Sequence, residues 1–210
     1  MHSGVSDVVD ECRGIFARDS FGIAFVSGGR RAGKTHLSIY LVDLLSKLQR
    51  FPRLLEGAEV GRFLDSSGAD VFTGEDVIVV DDAHEYLATL RPGDSGPFVA
   101  FVEKLRVARA GLILLSRMPI DEFLFDEHVR SRILPGCGRN IVAPAESDMP
   151  RLIDSMARQR GILLKERKIG FLVRRVGRDI EALERYFDRV RHLADVMGQS
   201  FKFPVLGDAL

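Results

Sequence analysis

Three short stretches of the chain are almost wholly apolar. They are FGIAFVS at 21–27, the first part of DVIVVDDAHEYL at 76–87, and GLILLS at 111–116. Strands of a parallel sheet show this pattern, because helices cover both faces of such a sheet. The pattern therefore predicts three buried parallel strands.

Between these runs the pattern changes to a helical one. Apolar side chains recur at three- and four-residue spacing in 34–48, and helices are also predicted at 7–17, 98–110 and 126–133. The region 51–75 is ambiguous, with weak strand character around Glu59–Phe63. Strands that alternate with helices predict an α/β fold with a parallel sheet flanked by helices.

The last third of the chain has a different character. Three amphipathic stretches, each ending near a glycine, predict three helices: DMPRLIDSMARQRG, KERKIGFLVRRVG and RDIEALERYFDRVRHLADVMG. We therefore expect an α/β core at 1–145, followed by a small helical lid and tail at 146–210.

Composition excludes several classes of protein. The 210 residues carry 30 basic and 30 acidic side chains, which argues against a globally basic nucleic-acid binder. Cys12 and Cys137 lack metal-ligand spacing and indicate a reducing compartment without a disulfide framework. No apolar run approaches the ~18 residues of a membrane span, and no signal peptide is seen, so a cytoplasmic protein without membrane contact is expected.

The junction after the first predicted strand fits a phosphate-binding loop. The pattern G-x-x-x-x-G-K-[ST] is matched in full by Gly28, Gly29, Arg30, Arg31, Ala32, Gly33, Lys34 and Thr35. Glycines let backbone N–H groups turn toward phosphate oxygens, and the following helix adds its positive end. Lys34 can reach the outer phosphates and the Thr35 hydroxyl can bind Mg²⁺. Arg30 and Arg31 fill variable positions, at which the pattern requires no residue type, and they are either solvated or in contact with phosphate or a partner.

Polar residues end the other two predicted strands. Asp81 and Asp82 close one of them, at the sheet edge where ligands bind. Asp81 is the candidate Mg²⁺ ligand and Asp82 the candidate base for the attacking water, although Asp is short for a fast base. Ser116 ends the other strand, either as a sensor of the terminal phosphate or as a turn serine.

The order of these motifs resembles a known family. SGGRRAGKTHL and VIVVDDAHEYL, followed by LLSRMP, VRSRI and GRDIEALERYFDRV, resemble the AAA+ ATPase module of the DnaA/Hda family of replication proteins. The resemblance implies a P-loop AAA+ core with a helical lid that binds ATP or ADP with Mg²⁺. It also implies a contact with the nucleotide from His36, which follows the loop.

Two arginines acquire roles from the resemblance. Arg132 matches the arginine finger, which completes the nucleotide site of a neighbouring subunit, and Arg130 is its neighbour. Arg178 matches the lid arginine that touches bound nucleotide. A permanently charged, forked guanidinium suits a phosphate in both positions. The alternatives are a surface salt bridge for Arg132 and a solvated side chain for Arg178.

The chain ends at Leu210 without the DNA-binding domain of the initiator, which favours the shorter, Hda-like branch. That branch implies action on DnaA-bound ATP together with the sliding clamp, but residues 1–16 do not match its clamp-binding segment. The initiator DnaA is thus the first partner expected, before the clamp or a second copy of this chain. Basic residues of the lid are expected to be solvated rather than to bind DNA directly.

Other functions share parts of this pattern. A helicase loader or a transposition-helper ATPase has the same core, and a non-catalytic interaction protein could use nucleotide as a structural ligand. A metabolic kinase also has a P-loop, but VRSRI and the helical lid argue against it.

Overall fold

The structure is a computed structural model that describes residues 3–17, 20–30, 32–66, 71–134, 137–142, 144–176 and 180–197. These residues form two compact units. One unit is Asp7–Val142, and the other contains 3–6 together with the described residues from 144 onward.

The elements follow one another in the order that the sequence pattern indicates. The strands are β1 (Gly22–Gly28), β2 (Phe51–Glu56), β3 (Asp76–Asp81), β4 (Gly111–Ser116) and β5 (Cys137–Ile141). The helices up to β5 are α1 (Ser3–Phe16), α2 (Lys34–Lys47), α3 (Val60–Asp65), α4 (His84–Leu87), α5 (Gly96–Ala108) and α6 (Glu127–Ile133). The later helices are α7 (Met149–Gln159), α8 (Glu166–Val173) and α9 (Ile180–Met197).

The five strands form one parallel sheet in the order β2-β3-β4-β1-β5. β4 therefore lies between β1 and β3, with Ser27 of β1 opposite Ser116 of β4. All strands end at the same edge, so the segments after β1, β3 and β4 converge there. The predicted α/β class, with a parallel sheet flanked by helices, is confirmed.

Apolar side chains of the three central strands form the core of this unit. Every residue of β1, β3 and β4 is buried, as their continuous apolar runs predict. Phe25, Ile78 and Leu112 pack with Phe98 and Phe101 of α5. Burial of such side chains contributes about 1.5–3 kcal/mol each to folding, and it fixes the strand ends that carry the candidate site.

The two edge strands, β2 and β5, were not predicted from the sequence. The strand character predicted around Glu59–Phe63 is wrong, because Gly57–Glu59 form a 3-10 turn and α3 follows it. The strand of this region is β2, which lies at the edge of the sheet and leaves Phe51 60% exposed. β5, with the sequence CGRNI, forms the other edge. Edge strands need no continuous apolar run, so neither gave the signal of a buried strand.

The second unit consists of helices around a core of its own. Ile153 of α7, Leu172 of α8, and Leu183 and Phe187 of α9 are fully buried there. The three helices predicted for 148–198 are confirmed in α7, α8 and α9. Within the described ranges, no helix has both the length and the apolar character needed to cross a membrane.

Candidate functional site

The turn between β1 and α2 has the backbone of a phosphate-binding loop. Gly33 is the N-cap residue of α2 and has a φ of 91° and a ψ of 17°, in the left-handed region that disfavours side chains. Glycine cannot supply a capping side chain, so its place leaves the first-turn N–H groups of α2 available to an outside acceptor. Such a helix end, with its partial positive charge, favours an anion.

Lys34 lies on this loop and is only 6% exposed. Its ammonium group donates hydrogen bonds to the carbonyl oxygens of Gly28 and Gly29, both at 2.8 Å. Burial lowers the pKa of Lys34, and the negative charge of Asp82 acts in the opposite direction. The lysine is therefore a desolvated cation that two neutral carbonyl oxygens hold on the loop, and a phosphate, which is charged, is a stronger acceptor than either.

Asp81 faces the first turn of α2. Its side chain is buried, and one carboxylate oxygen accepts a hydrogen bond from the N–H of Asp82 at 3.0 Å. The other oxygen lies 3.3 Å from the hydroxyl of Ser38, which is also 2.8 Å from the carbonyl oxygen of Thr35. One hydroxyl group thus connects the carboxylate with the turn that carries Thr35.

Asp82 occupies a turn in a left-handed conformation, with a φ of 46°. Its carboxylate lies 3.3 Å from a terminal guanidinium nitrogen of Arg117 and 3.7 Å from Nδ1 of His84. Burial is the main cause that lowers the pKa of His84, so the imidazole is neutral near pH 7 and Arg117 is the cation beside Asp82. A Cβ at Gly57 would lie 2.1 Å from the carbonyl oxygen of Asp82, so only glycine there allows this turn.

The donor set around Asp81 suits Mg²⁺ only together with phosphate. Among the described residues, no group of three or more His, Cys, Asp or Glu side chains could hold a metal ion. Mg²⁺ is commonly bound by one or two carboxylates plus substrate phosphates and waters, and Asp81 with the Thr35 hydroxyl fits that mode. Burial and the charges of Asp81 and Asp82 also raise the pKa of nearby Glu56, so this edge carries concentrated negative charge.

Ser116 has the geometry of a turn serine. Its hydroxyl donates to the carbonyl oxygen of Met118 at 2.7 Å and accepts from the N–H of Met118 at 3.0 Å. The side chain is fully buried. Its place at the end of β4 is as predicted, but its hydroxyl is engaged by the backbone two residues ahead.

Arg132 lies on α6 and interacts within its own chain. Its guanidinium is 2.9 Å from a carboxylate oxygen of Glu103 on α5 and donates to the carbonyl oxygen of His128, also at 2.9 Å. Its neighbour Arg130 pairs with Asp121 at 3.3 Å and lies over the ring of Phe125. Each arginine therefore has carboxylate and backbone partners in this structure.

The remaining predicted site residues divide into placed and unplaced ones. Arg30, Thr35 and His36 are exposed around the loop, and the N–H of Ala32 donates to the carbonyl oxygen of Gly29 at 3.2 Å. Arg31 and Arg178 lie outside the described residues. The carboxyl edge of the sheet thus brings together Lys34, Asp81, Asp82 and Ser116.

Sequence reasoning missed three residues that contact the predicted site residues. Arg117 follows Ser116 directly, and an arginine immediately after a strand-end serine is a signal that could have been used. Ser38 lies one helical turn after Lys34, on the same face of α2, so its contact with the Asp81 strand could also have been expected. Glu103 gave no signal, because its pairing with Arg132 depends on how α5 and α6 pack.

The fold of this chain is similar to that of several solved structures. No protein-family model matches the chain, and no curated protein sequence matches it. Domain III of the replication initiation protein DnaA from Thermotoga maritima is similar in structure, with a TM-score of 0.75 and 15% identity over 100% of this chain and 92% of that one. AMPPCP-bound DnaA from Aquifex aeolicus has a TM-score of 0.74 and 15% identity over 94% of this chain and 64% of that one.

A second kind of protein shares the architecture. The RuvB Holliday junction branch migration motor from Thermotoga maritima has a TM-score of 0.69 and 15% identity, over 98% of this chain and 67% of that one. The chain therefore spans about two thirds of the RuvB and Aquifex DnaA chains. At such low identity the likeness defines the fold alone. This chain has the P-loop AAA+ α/β fold.

Proposed function

We propose that this chain binds ATP or ADP with Mg²⁺ at the carboxyl edge of its sheet. The observation that carries the proposal is the placement of Lys34, a buried cation folded onto a glycine loop at the N-terminus of α2. Asp81 lies across the same turn, connected through Ser38. A polyphosphate with a divalent cation supplies the negative charge and the metal that these residues are suited to bind.

Each residue would have a distinct part in binding. Lys34 would exchange its two carbonyl acceptors for outer phosphate oxygens, and the first-turn N–H groups of α2 would donate to the same ligand. Asp81 and Thr35 would hold Mg²⁺, which when bound neutralises phosphate charge. His36 and Arg30, which are exposed, would contact the nucleotide from the loop side. Arg31 is a further candidate because of its place in the loop sequence, and Arg178 because it matches the lid arginine of the family.

Intrinsic hydrolysis is expected to be slow. A general base must come within hydrogen-bond reach of the attacking water, and the side chain of Asp82 is one carbon shorter than that of glutamate. With such a site, the chain would respond to whether nucleotide is bound rather than to how fast nucleotide is hydrolysed.

The regulatory part of the proposal concerns a partner. We propose that the chain acts on ATP bound by the replication initiator DnaA and presents Arg132 to that nucleotide. The sequence motifs support this role, as does the likeness to DnaA domain III over the whole of this chain. Glu103 holds Arg132 within the chain in the structure, so partner binding would have to exchange that carboxylate for phosphate.

The likeness to RuvB favours a second candidate, an ATPase that acts on DNA. Hydrolysis that is stimulated by single-stranded or branched DNA, measured without any protein partner, would favour this candidate. Hydrolysis that responds only to DnaA would favour the first one.

The nucleotide site is tested by replacing one lysine. We expect Mg²⁺-ADP to raise the thermal stability of the wild-type chain, by about 2.7 kcal/mol at a ligand concentration of 100 times Kd. Lys34→Ala should abolish this stabilisation, because it removes the cation on the loop. Scanning fluorimetry with increasing ADP measures the effect, and isothermal titration calorimetry gives the affinity.

Lys47 provides the matched control on the same helix. Its ammonium group pairs with Asp43 one turn away and is exposed, so Lys47→Ala should retain wild-type affinity. Circular dichroism of both variants checks that the helix content of the chain is unchanged. Wild-type ADP affinity in Lys34→Ala, or a wild-type chain that binds neither ADP nor ATP, would overturn the proposal.

A further inference from the structure

An arginine to which no motif assigns a role lies beside Asp82 at the carboxyl edge of the sheet. A terminal nitrogen of Arg117 donates to a carboxylate oxygen of Asp82 at 3.3 Å. We propose that Arg117 is a second phosphate-binding cation, which leaves Asp82 for the terminal phosphate when a nucleoside triphosphate binds. The inference rests on the proposed nucleotide site and adds a residue that distinguishes a triphosphate from a diphosphate.

The fold places Arg117 at the centre of the carboxyl edge. β4 lies between β1, which leads into the glycine loop, and β3, which leads into Asp81. The N–H of Ala83 donates to the carbonyl oxygen of Leu115 at 2.7 Å, so the turn after β3 is fastened to the end of β4. Arg117 therefore leaves the sheet beside the acidic turn, one strand away from the loop.

The turn made by Ser116 determines where Arg117 begins. Both hydrogen bonds of the Ser116 hydroxyl go to the backbone of Met118, so the residue between them is held in a fixed turn. A fully buried serine that bonds only its own turn is poorly placed to sense phosphate. The charged side chain next to it reaches the acidic turn instead.

The charges of the site act on one another. Asp82 and Arg117 each shift the pKa of Lys34, in opposite directions, and both also act on His84. Arg117 is thus close enough to the loop lysine to share its electrostatic environment. A phosphate bound by Lys34 would enter a field to which Arg117 already contributes.

The contact between Arg117 and Asp82 is suited to exchange. Arg117 is 47% exposed and makes a single long contact with the carboxylate, and such surface pairs add little to stability. A forked guanidinium binds phosphate oxygens through charge-assisted hydrogen bonds, and a terminal phosphate carries more charge than a carboxylate. Release of Arg117 would leave Asp82 without this cation and able to accept a hydrogen bond from water.

The test compares two nucleotides on matched variants. Dissociation constants for Mg²⁺-ADP and for the non-hydrolysable triphosphate Mg²⁺-AMPPCP are measured by isothermal titration calorimetry. We expect Arg117→Ala to weaken AMPPCP binding by about tenfold or more and to change ADP binding little. Arg117→Lys keeps the charge without the fork and should lie between wild type and Arg117→Ala.

Arg106 is the matched control arginine. It is also 47% exposed and lies 4.0 Å from a carboxylate, that of Glu103, but it is on α5 over the ring of Phe21. Arg106→Ala should bind both nucleotides as wild type does. Salt titration of AMPPCP binding adds a readout that a purely structural role would not change. Because salt screens the attraction between guanidinium and phosphate, the salt dependence of AMPPCP binding should be smaller in Arg117→Ala than in wild type and unchanged in Arg106→Ala.

Asp82→Asn tests the exchange itself. Asparagine keeps the left-handed turn and removes the resting counter-ion, so AMPPCP should bind several-fold more tightly than to wild type. In the double variant with Arg117→Ala this gain should shrink, because the arginine that was released is gone. A double-mutant cycle measures this coupling.

The outcomes separate this inference from the proposed function. If wild type binds neither nucleotide, the nucleotide site is wrong and the inference falls with it. If wild type binds both, and Arg117→Ala loses no more AMPPCP affinity than Arg106→Ala, the nucleotide site stands and the role of Arg117 is refuted. Strictly additive effects in the cycle would refute the exchange with Asp82.

Discussion

At the scale of single residues, the candidate site depends on how a few buried polar groups are satisfied. Lys34 is held by carbonyl oxygens of its own loop, and Asp81 by a backbone N–H and the Ser38 hydroxyl. Buried charges are costly unless they are paired in this way. The motif could identify Lys34 and Asp81 from the sequence, and helical spacing could have indicated Ser38 as a partner of Asp81. The carbonyl acceptors of Lys34 follow from the fold of the loop and could not be predicted from the sequence.

The glycines of the loop provide a prediction at this scale. Gly33→Ala should destabilise the fold by about 1–2 kcal/mol, because its φ of 91° strains any residue with a Cβ. Gly29→Ala should leave stability nearly unchanged, since no heavy atom lies within 4 Å of a Cβ at that position. Urea unfolding of both variants without nucleotide measures the difference, and equal losses in the two would contradict the loop geometry.

At the scale of elements, α6 is held by its N-cap. The Asp126 carboxylate accepts from the N–H of Val129 at 3.2 Å, from the Ser95 hydroxyl at 2.7 Å and from the N–H of Gly93 at 3.3 Å. One side chain thus caps the helix that carries Arg132 and fastens it to the segment before α5. The sequence predicted this helix, but the contact with Ser95 spans 31 positions and had no local signal.

Asp126 gives a prediction with a defined pH dependence. The Ser95 hydroxyl is the first cause that lowers the pKa of Asp126 from 3.8. Because the pKa of Asp126 is lower in the folded chain than in the unfolded one, its ionised carboxylate stabilises the fold fully above pH 3.8. This stabilisation is lost as the pH falls through the lower pKa of the folded state. Asp126→Ala should lower Tm by a few degrees at pH 6. Asp126→Asn cannot titrate, so the Tm difference between wild type and this variant should shrink as the pH falls from 6 toward 3. A difference that is constant over this range would contradict the cap.

At the scale of the whole molecule, sequence and structure agree where the physical signal is continuous. A strand that is buried on both faces, such as GLILLS, leaves a continuous apolar run in the sequence. A helix that is buried on one face, such as 34–48, leaves apolar residues at three- and four-residue spacing. Both patterns can therefore be recognised from the sequence. β2 and β5 leave neither pattern, since edge strands are half exposed and their place depends on their neighbours. The loop motif predicts a phosphate ligand from the sequence alone, whereas the pairing of Arg117 with Asp82 follows from β4 lying between β1 and β3.

Action on a partner is also a property of the whole molecule, and Arg132 tests it. We expect the wild-type chain to accelerate ATP hydrolysis by the initiator DnaA and Arg132→Ala to lose that acceleration, since an arginine finger contributes about 10³–10⁵ in rate.

Glu103→Ala is the matched control, because it breaks the same ion pair at 2.9 Å but leaves the arginine in place. If Arg132 serves only to pair with Glu103, both variants should fail alike. If it reaches the partner's nucleotide, Glu103→Ala should stimulate hydrolysis at least as well as wild type, because the guanidinium no longer has to leave a carboxylate. Phosphate release by DnaA measures the effect, and ADP binding by each variant confirms that its own site is intact; full stimulation by Arg132→Ala would exclude the finger.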